Sequence, residues 1–282
     1  MKKKIKKTGF CLVAVFIIIL WVIWGNVTVG LTVINIDDDK LPDEFKGFKI
    51  VQISDLHNAE FGTDNSVIKN IVKKCGPDIV AVTGDIIDAT SSDAENALDL
   101  MKYMTENYPV YYVTGNHEAA YPDCEELLDE LKRMDVNVLE DDYMTLVRNG
   151  ESINIIGVQD PDFMIRDSNF ETVAKMTNTK IGDILAETEE GYTVLLSHRP
   201  ELFEVYVQQG INLVFAGHAH GGQFRIPFIG GVISPDQGLF PEYDSGSYTL
   251  GETTMIVSRG LGNSIIPVRV NNRPEVVCVT LN

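Results

Sequence analysis

The sequence predicts an α/β protein: a two-layer β-sandwich core flanked by helices, with one N-terminal transmembrane helix. Three observations carry this. From Lys49 onward, short apolar runs alternate with amphipathic stretches, and a β-α-β-α-β-α order implies parallel strands joined by crossover helices. The second half is richer in strand-like runs than in helices, which supplies a second layer. Finally, Lys2, Lys3, Lys4, Lys6 and Lys7 precede a stretch from Gly9 to Gly25 without one polar side chain.

The stretch from Gly9 to Val29 would extend about 30 Å as a helix, one hydrocarbon thickness. Trp21 and Trp24 lie near its far end, where indoles favour the membrane interface. A buried core helix would not begin with five lysines, and a cleaved secretory signal needs small residues that Thr28-Val29-Gly30 supplies poorly. The expected division is a basic cytoplasmic tip over residues 1–8, a signal anchor over 9–30, a connector over 31–47 and one folded domain over 48–282. The positive-inside rule places that domain outside the cytoplasm, in a single-pass protein of the cell membrane.

Residues 50–53 read as a strand and 66–75 as a helix burying Val67, Ile71, Val72 and Cys75. Residues 79–82 form an apolar strand, 92–107 a second helix, 110–113 a third strand and 122–134 a helix with Pro122 in its first turn. Later strands are expected at 144–147, 153–158, 193–196, 213–215, 254–257 and 276–281, with helices near 171–187 and 201–209. The segment 221–251, rich in Gly and Pro, reads as ordered loop.

The chain has 23 basic against 41 acidic residues, five of the basic ones within the first seven positions. Such a surface repels nucleic acid, which is excluded as a partner. Four cysteines without a C-x-x-C pair support neither a thiolate zinc site nor a redox dithiol.

All five histidines lie in clusters with Asp, Asn or Gly: Asp55-Leu56-His57, Gly115-Asn116-His117-Glu118, Ser197-His198-Arg199 and Gly217-His218-Ala219-His220, with Gly84-Asp85 between the first two. Each cluster follows an apolar strand. The carboxyl ends of parallel strands line one edge of an open sheet, so the clusters should converge on one patch. Carboxylate, imidazole and amide ligands without thiolates suit Mn²⁺, Fe or Zn²⁺. Seven candidate ligands exceed what one tetrahedral ion takes and match two metals sharing a carboxylate.

These blocks, in this order, resemble the calcineurin-like metallophosphoesterase family over roughly residues 48–282. Gly221-Gly222-Gln223 and Ser258-Arg259-Gly260-Leu261-Gly262-Asn263 further resemble its membrane-anchored bacterial branch. The resemblance implies a binuclear, metal-dependent phosphoesterase with an α/β/β/α fold. Position by position it gives Asp55, His57, Asp85 and His220 to one metal and Asp85, Asn116, His198 and His218 to the other, Asp85 bridging. It makes His117 the acid that meets substrate. Two cations close together lower the pKa of a bridging water and stabilise in-line displacement at phosphorus, and His117 as imidazolium can protonate the departing alkoxide.

Arg199, Arg225 and Arg259 are weaker candidates for binding phosphate oxygens, surface arginine being the default. Glu118 and Asp88 read as supporting or capping groups, and Asp160 as a turn residue before Pro161. The implied substrates are phosphodiesters or pyrophosphates of lipids or nucleotide sugars, or envelope polymers. Two other classes stay open at this point: a non-catalytic, metal-dependent binding or scaffold module on the cell surface, and a hydrolase of non-phosphate esters.

Overall fold

Strands that are apolar at every position are stable only when covered on both faces, and the chain arranges its layers accordingly. The computed structural model describes residues 2–91, 93–166, 168–263 and 266–282, with side chains from Leu12 onward. The chain opens with α1 (Lys2–Val27) and continues through β1 (Gly30–Ile36), β2 (Lys49–Ile53), α2 (Ser66–Cys75), β3 (Ile79–Thr83), α3 (Glu95–Asn107), β4 (Val110–Val113), α4 (Asn116–Ala120), α5 (Cys124–Arg133) and β5 (Asn137–Val138). Next come β6 (Asp142–Arg148), β7 (Glu151–Gly157), α6 (Phe170–Glu187), β8 (Tyr192–Leu196), α7 (Phe203–Gln208) and β9 (Leu213–Ala216). Two small hairpins follow: β10 (Arg225–Ile226) with β11 (Gly230–Gly231), and β12 (Ile233–Ser234) with β13 (Gly238–Leu239). The chain closes with β14 (Gly246–Leu250), β15 (Thr253–Val257) and β16 (Glu275–Leu281).

One six-stranded sheet runs β1-β16-β2-β3-β4-β5, and β2 to β5 are parallel within it. The other runs β14-β15-β9-β8-β7-β6, and β15, β9, β8 and β7 are parallel. Side chains alternate across each strand. Ile50, Ile79, Ala81 and Tyr111 therefore meet Ile153, Val194, Leu213 and Phe215 between the sheets. Val51, Val80 and Val82 turn outward against Ile68, Leu100 and Leu128 of α2, α3 and α5. Leu195 and Val214 turn the other way, against Ile181 of α6 and Tyr206 of α7. The result is four layers, helices outside two sheets. At these fully buried positions truncation of an isoleucine to alanine costs about 2–5 kcal/mol.

Residues 31–47, expected as a connector, contain all of β1 but its first residue. It pairs in parallel with β16, from Gly30 opposite Glu275 to Ile36 opposite Leu281. The partner comes from the far end of the chain, so nothing local marks this strand. The apolar helix ends at Val27 rather than at residue 30. The expected loop 221–251 is instead built from the two hairpins and β14. Ser92, where the sequence starts the helix expected over 92–107, and the side chains of the N-terminal lysines and Cys11 lie outside the described residues. Leu12, Phe16, Ile17, Ile18 and Trp24 of α1 are exposed. Among the described residues, no helix is long and apolar enough to cross a membrane.

Candidate metal centre

The parallel strands of both sheets end at a common edge, and the polar clusters stand in the turns leaving β2, β3, β4, β8 and β9. The turns are tight. Asp55, His57, Asp85, His218 and His220 all have positive φ, from 47° to 63°, a region that costs about 1–3 kcal/mol per non-glycine residue. Backbone hydrogen bonds hold them there: Asp55 donates to the Gly84 carbonyl at 3.0 Å and His57 to that of Asp85 at 3.0 Å. Two glycines permit the close approach. A Cβ on Gly84, itself at φ 84°, would stand 2.6 Å from the Gly115 nitrogen and 2.8 Å from His198 Nδ1; one on Gly217 would stand 2.0 Å from Ser54 Oγ.

Among the described residues, Asp55, His57, Asp85 and His220 form one buried group with ligand atoms within 4.8 Å of one another, and Asp85, His198 and His218 form a second. Asp85 belongs to both. His57 Nε2 lies 3.2 Å from His220 Nε2, which is 3.4 Å from Asp55 Oδ1. His198 Nε2 stands 3.1 Å from Asp85 Oδ2 and 3.2 Å from Asn116 Oδ1, which brings the amide into the second group. All seven residues expected as ligands are thus together.

Neighbouring groups fix how these side chains present themselves. His198 Nδ1 is 2.7 Å from the Thr83 carbonyl, which can only accept, so Nε2 faces Asp85 and Asn116. His218 Nε2 meets Asp236 Oδ2 at 2.7 Å, leaving Nδ1 directed at His198 at 3.1 Å. This carboxylate–imidazole pairing is the support that metal-binding histidines need. Glu118 is wholly buried. Its carboxylate accepts from the backbone N–H of Asp85 at 2.8 Å, Ile86 at 2.9 Å and Gly115 at 2.6 Å, tying the β3 and β4 turns together.

Burial shapes the protonation of the cluster. It pushes His57 down to about 3 and His218 to about 4, and holds His220 well below its ordinary value. All three rings are therefore neutral, the form that binds metal. Burial raises Asp55 to about 6. For His198 burial acts downward, but the adjoining Asp85 carboxylate overcomes it and raises the ring to about 10. Neutral imidazoles and buried carboxylates converging without thiolates fit two divalent cations.

His117 lies beside this cluster rather than in it. Its Nδ1 accepts the Ala89 N–H at 3.0 Å, its ring meets that of His57 edge-on at 4.4 Å, and Asp88 Oδ1 is 3.9 Å from Nδ1. Arg199 reaches the site but is already engaged: Asp160 takes Nε at 2.5 Å and Nη2 at 2.8 Å, and Asp236 takes Nη1. Asp160 also caps its own turn, accepting from the Asp162 N–H at 3.0 Å. Arg225 instead pairs with Asp244 at 3.1 Å, and Arg259 with the buried Glu275. Neither lines the cleft of about 400 Å³ that opens beside Asn116, Arg199, His218 and Asp236.

A family model described as calcineurin-like phosphoesterase matches residues 48–222. The Bacillus subtilis (strain 168) protein named uncharacterized metallophosphoesterase YkuE is 30% identical over 88% of this chain and 83% of its own. A Danio rerio protein named transmembrane protein with metallophosphoesterase domain is 28% identical over 88% of this chain, which spans only 56% of that longer protein. The solved structure of TT1561 from Thermus thermophilus superposes with a TM-score of 0.51 at 14% identity, covering 76% of this chain and 90% of that one, a likeness of fold. A chain with this fold and these buried Asp/His groups is a metal-dependent hydrolase of phosphoric esters. It belongs to the calcineurin-like phosphoesterase family.

Proposed function

We propose that Asp55, His57, Asp85 and His220 hold one divalent cation, that Asp85, Asn116, His198 and His218 hold the second, and that the pair hydrolyses phosphodiester or pyrophosphate bonds. The sharing of Asp85 between two buried groups carries this reading. Two cations held by these groups would supply water activation and neutralisation of phosphoryl oxygens. The residues supply placement. Asp85 is oriented by the His117 N–H, which donates to its Oδ1 at 2.8 Å, and by Glu118 behind it. Because His117 Nδ1 accepts from the Ala89 N–H, Nε2 is the ring nitrogen proposed to meet a substrate oxygen. Arg199, neutralised by two aspartates, positions His218 and leaves phosphoryl charge to the cations.

The cleft carries Ile165, Phe170 and Val173 beside its polar wall, which suits a phosphoester with an apolar portion such as a lipid or nucleotide-sugar conjugate; an envelope polymer is the variant of this reading. The anchor and outward orientation belong to the same proposal. They are supported by the N-terminal lysines, the apolar side chains exposed on α1 and the transmembrane name of the Danio rerio relative. The test is metal analysis of the full chain with a panel of aryl phosphate monoesters, diesters and pyrophosphates. Two metals per chain with diester or pyrophosphate turnover support the reading, and turnover confined to monoesters contradicts it. Protease added to intact cells should digest the catalytic domain; full protection would overturn the orientation.

A further inference from the structure

The hairpin segment between the metal centre and β14 carries an apolar surface that the chemistry does not use. Phe228 is fully exposed at the turn of β10–β11, and Ile229 beside it is 66% exposed. Leu239 and Phe240, at the base of β12–β13, are 69% and 61% exposed. Phe228 and Phe240 also hold positive φ, 68° and 54°, where a bulky aromatic is an outlier. Large apolar side chains displayed on turns are costly in water and mark contact surfaces.

The position of this segment indicates what it meets. Arg225, which opens the first hairpin, donates its N–H to the Val270 carbonyl at 3.0 Å. The residue before Val270, Arg269, is clipped to the last turn of α1: its N–H donates to Asn26 Oδ1, and Asn26 Nδ2 donates to its carbonyl, both at 2.8 Å. The hairpin base and the end of the apolar helix are therefore joined through residues 269 and 270. At the same junction the Arg273 guanidinium lies 5.0 Å from the ring centroid of Trp24, the pairing of cation and indole favoured at a lipid headgroup layer. The other hairpin reaches the active site, since Asp236 in its turn contacts His218.

We infer that the segment from Arg225 to Phe240 is a second membrane contact, inserting Phe228 and Ile229 into a lipid bilayer beside the helix and holding the metal cleft at the bilayer surface. This rests on the membrane reading of α1. A bilayer is favoured over a second copy of the chain because the hairpin base is tied to the end of the apolar helix through residues 269 and 270.

The test uses full-length protein in phosphatidylcholine vesicles with or without bromine on the acyl chains. The chain's only tryptophans, Trp21 and Trp24, report on the helix. A Phe228→Trp variant carrying Trp21→Phe and Trp24→Phe reports on the hairpin. Bromolipid quenching in both proteins is the expected result. Quenching of the native indoles without quenching at position 228 would overturn the hairpin contact and leave the anchor standing. Quenching in neither would overturn both. Blue-shifted but unquenched emission at position 228, with dimers in detergent, would assign the patch to a second copy. In detergent, Phe228→Asp with Ile229→Asp should turn over bis(p-nitrophenyl) phosphate as the parent does, and should lose stable seating of the domain on vesicles, read as greater protease access to the 221–240 segment. Unchanged access would count against the inference.

Discussion

The Asp236 carboxylate meets Nε2 of His218 at 2.7 Å, and that contact decides which ring nitrogen turns toward His198. The hydrogen bond from His218 holds Asp236 down at about 2. A carboxyl lowered in the folded state adds stability that is present above its unfolded value near 4 and is lost as pH falls through about 2, so the contact is intact across the neutral range. Asp236→Ala is expected to weaken Mn²⁺ binding by about 10–100-fold, measured by calorimetric titration. Unchanged affinity would remove Asp236 from the support of the site.

His117 touches the cluster without joining it, so its loss should separate chemistry from metal binding. His117→Ala is expected to keep both metals and lose about 10²–10⁴-fold in turnover on esters with poor leaving groups. The loss should be smaller on p-nitrophenyl esters, whose phenolate leaves without a proton. Equal losses on both would show that the ring positions phosphoryl oxygens instead. Unchanged turnover on both would remove His117 from the mechanism.

Metal binding should release protons. His198 is held up to about 10, the Asp85 carboxylate overcoming the downward effect of burial, so at pH 7 the metal-free ring carries a proton that a cation at Nε2 must displace. Titration of metal-free protein at pH 7, in buffers of different ionisation enthalpy, is expected to show about one proton released per chain on filling the second site. Burial holds Asp55 at about 6, so protons also compete at the first site below that pH, and its affinity should fall about tenfold per further pH unit. Proton-free binding at pH 7 would contradict the arrangement around His198.

The sheet cores and the gathering of the Asp, Asn and His clusters at one edge were legible because their signals are local. The apolar runs 50–53, 79–82 and 110–113 fall within β2, β3 and β4, and each is followed at once by the polar residues that its turn presents. The helix expected over 66–75 is α2 with the same bounds. β1 was not legible, since its partner β16 lies more than two hundred residues away and Leu31 and Val33 stay exposed on its surface. Asp236 gave no signal: one acid among 41 acidic residues, inside a Gly- and Pro-rich segment, acquires its role only when the second hairpin folds back on His218. Arg269 was equally silent, although its buried side chain lies 3.3 Å from His220 Nδ1. Arg225 and Arg259 show the converse, candidates by residue type that the fold commits to Asp244 and Glu275.

The shared carboxylate of Asp85 is the centre of the proposed site, and metal counting on Asp85→Asn tests it most directly. The parent chain, purified with Mn²⁺ and analysed by elemental mass spectrometry, is expected to hold two ions. Asp85→Asn should lose affinity at both positions together and lose turnover of bis(p-nitrophenyl) phosphate, whereas Asn116→Ala should keep the ion held by Asp55, His57 and His220. An Asp85→Asn chain that keeps two metals and full turnover would contradict the bridge.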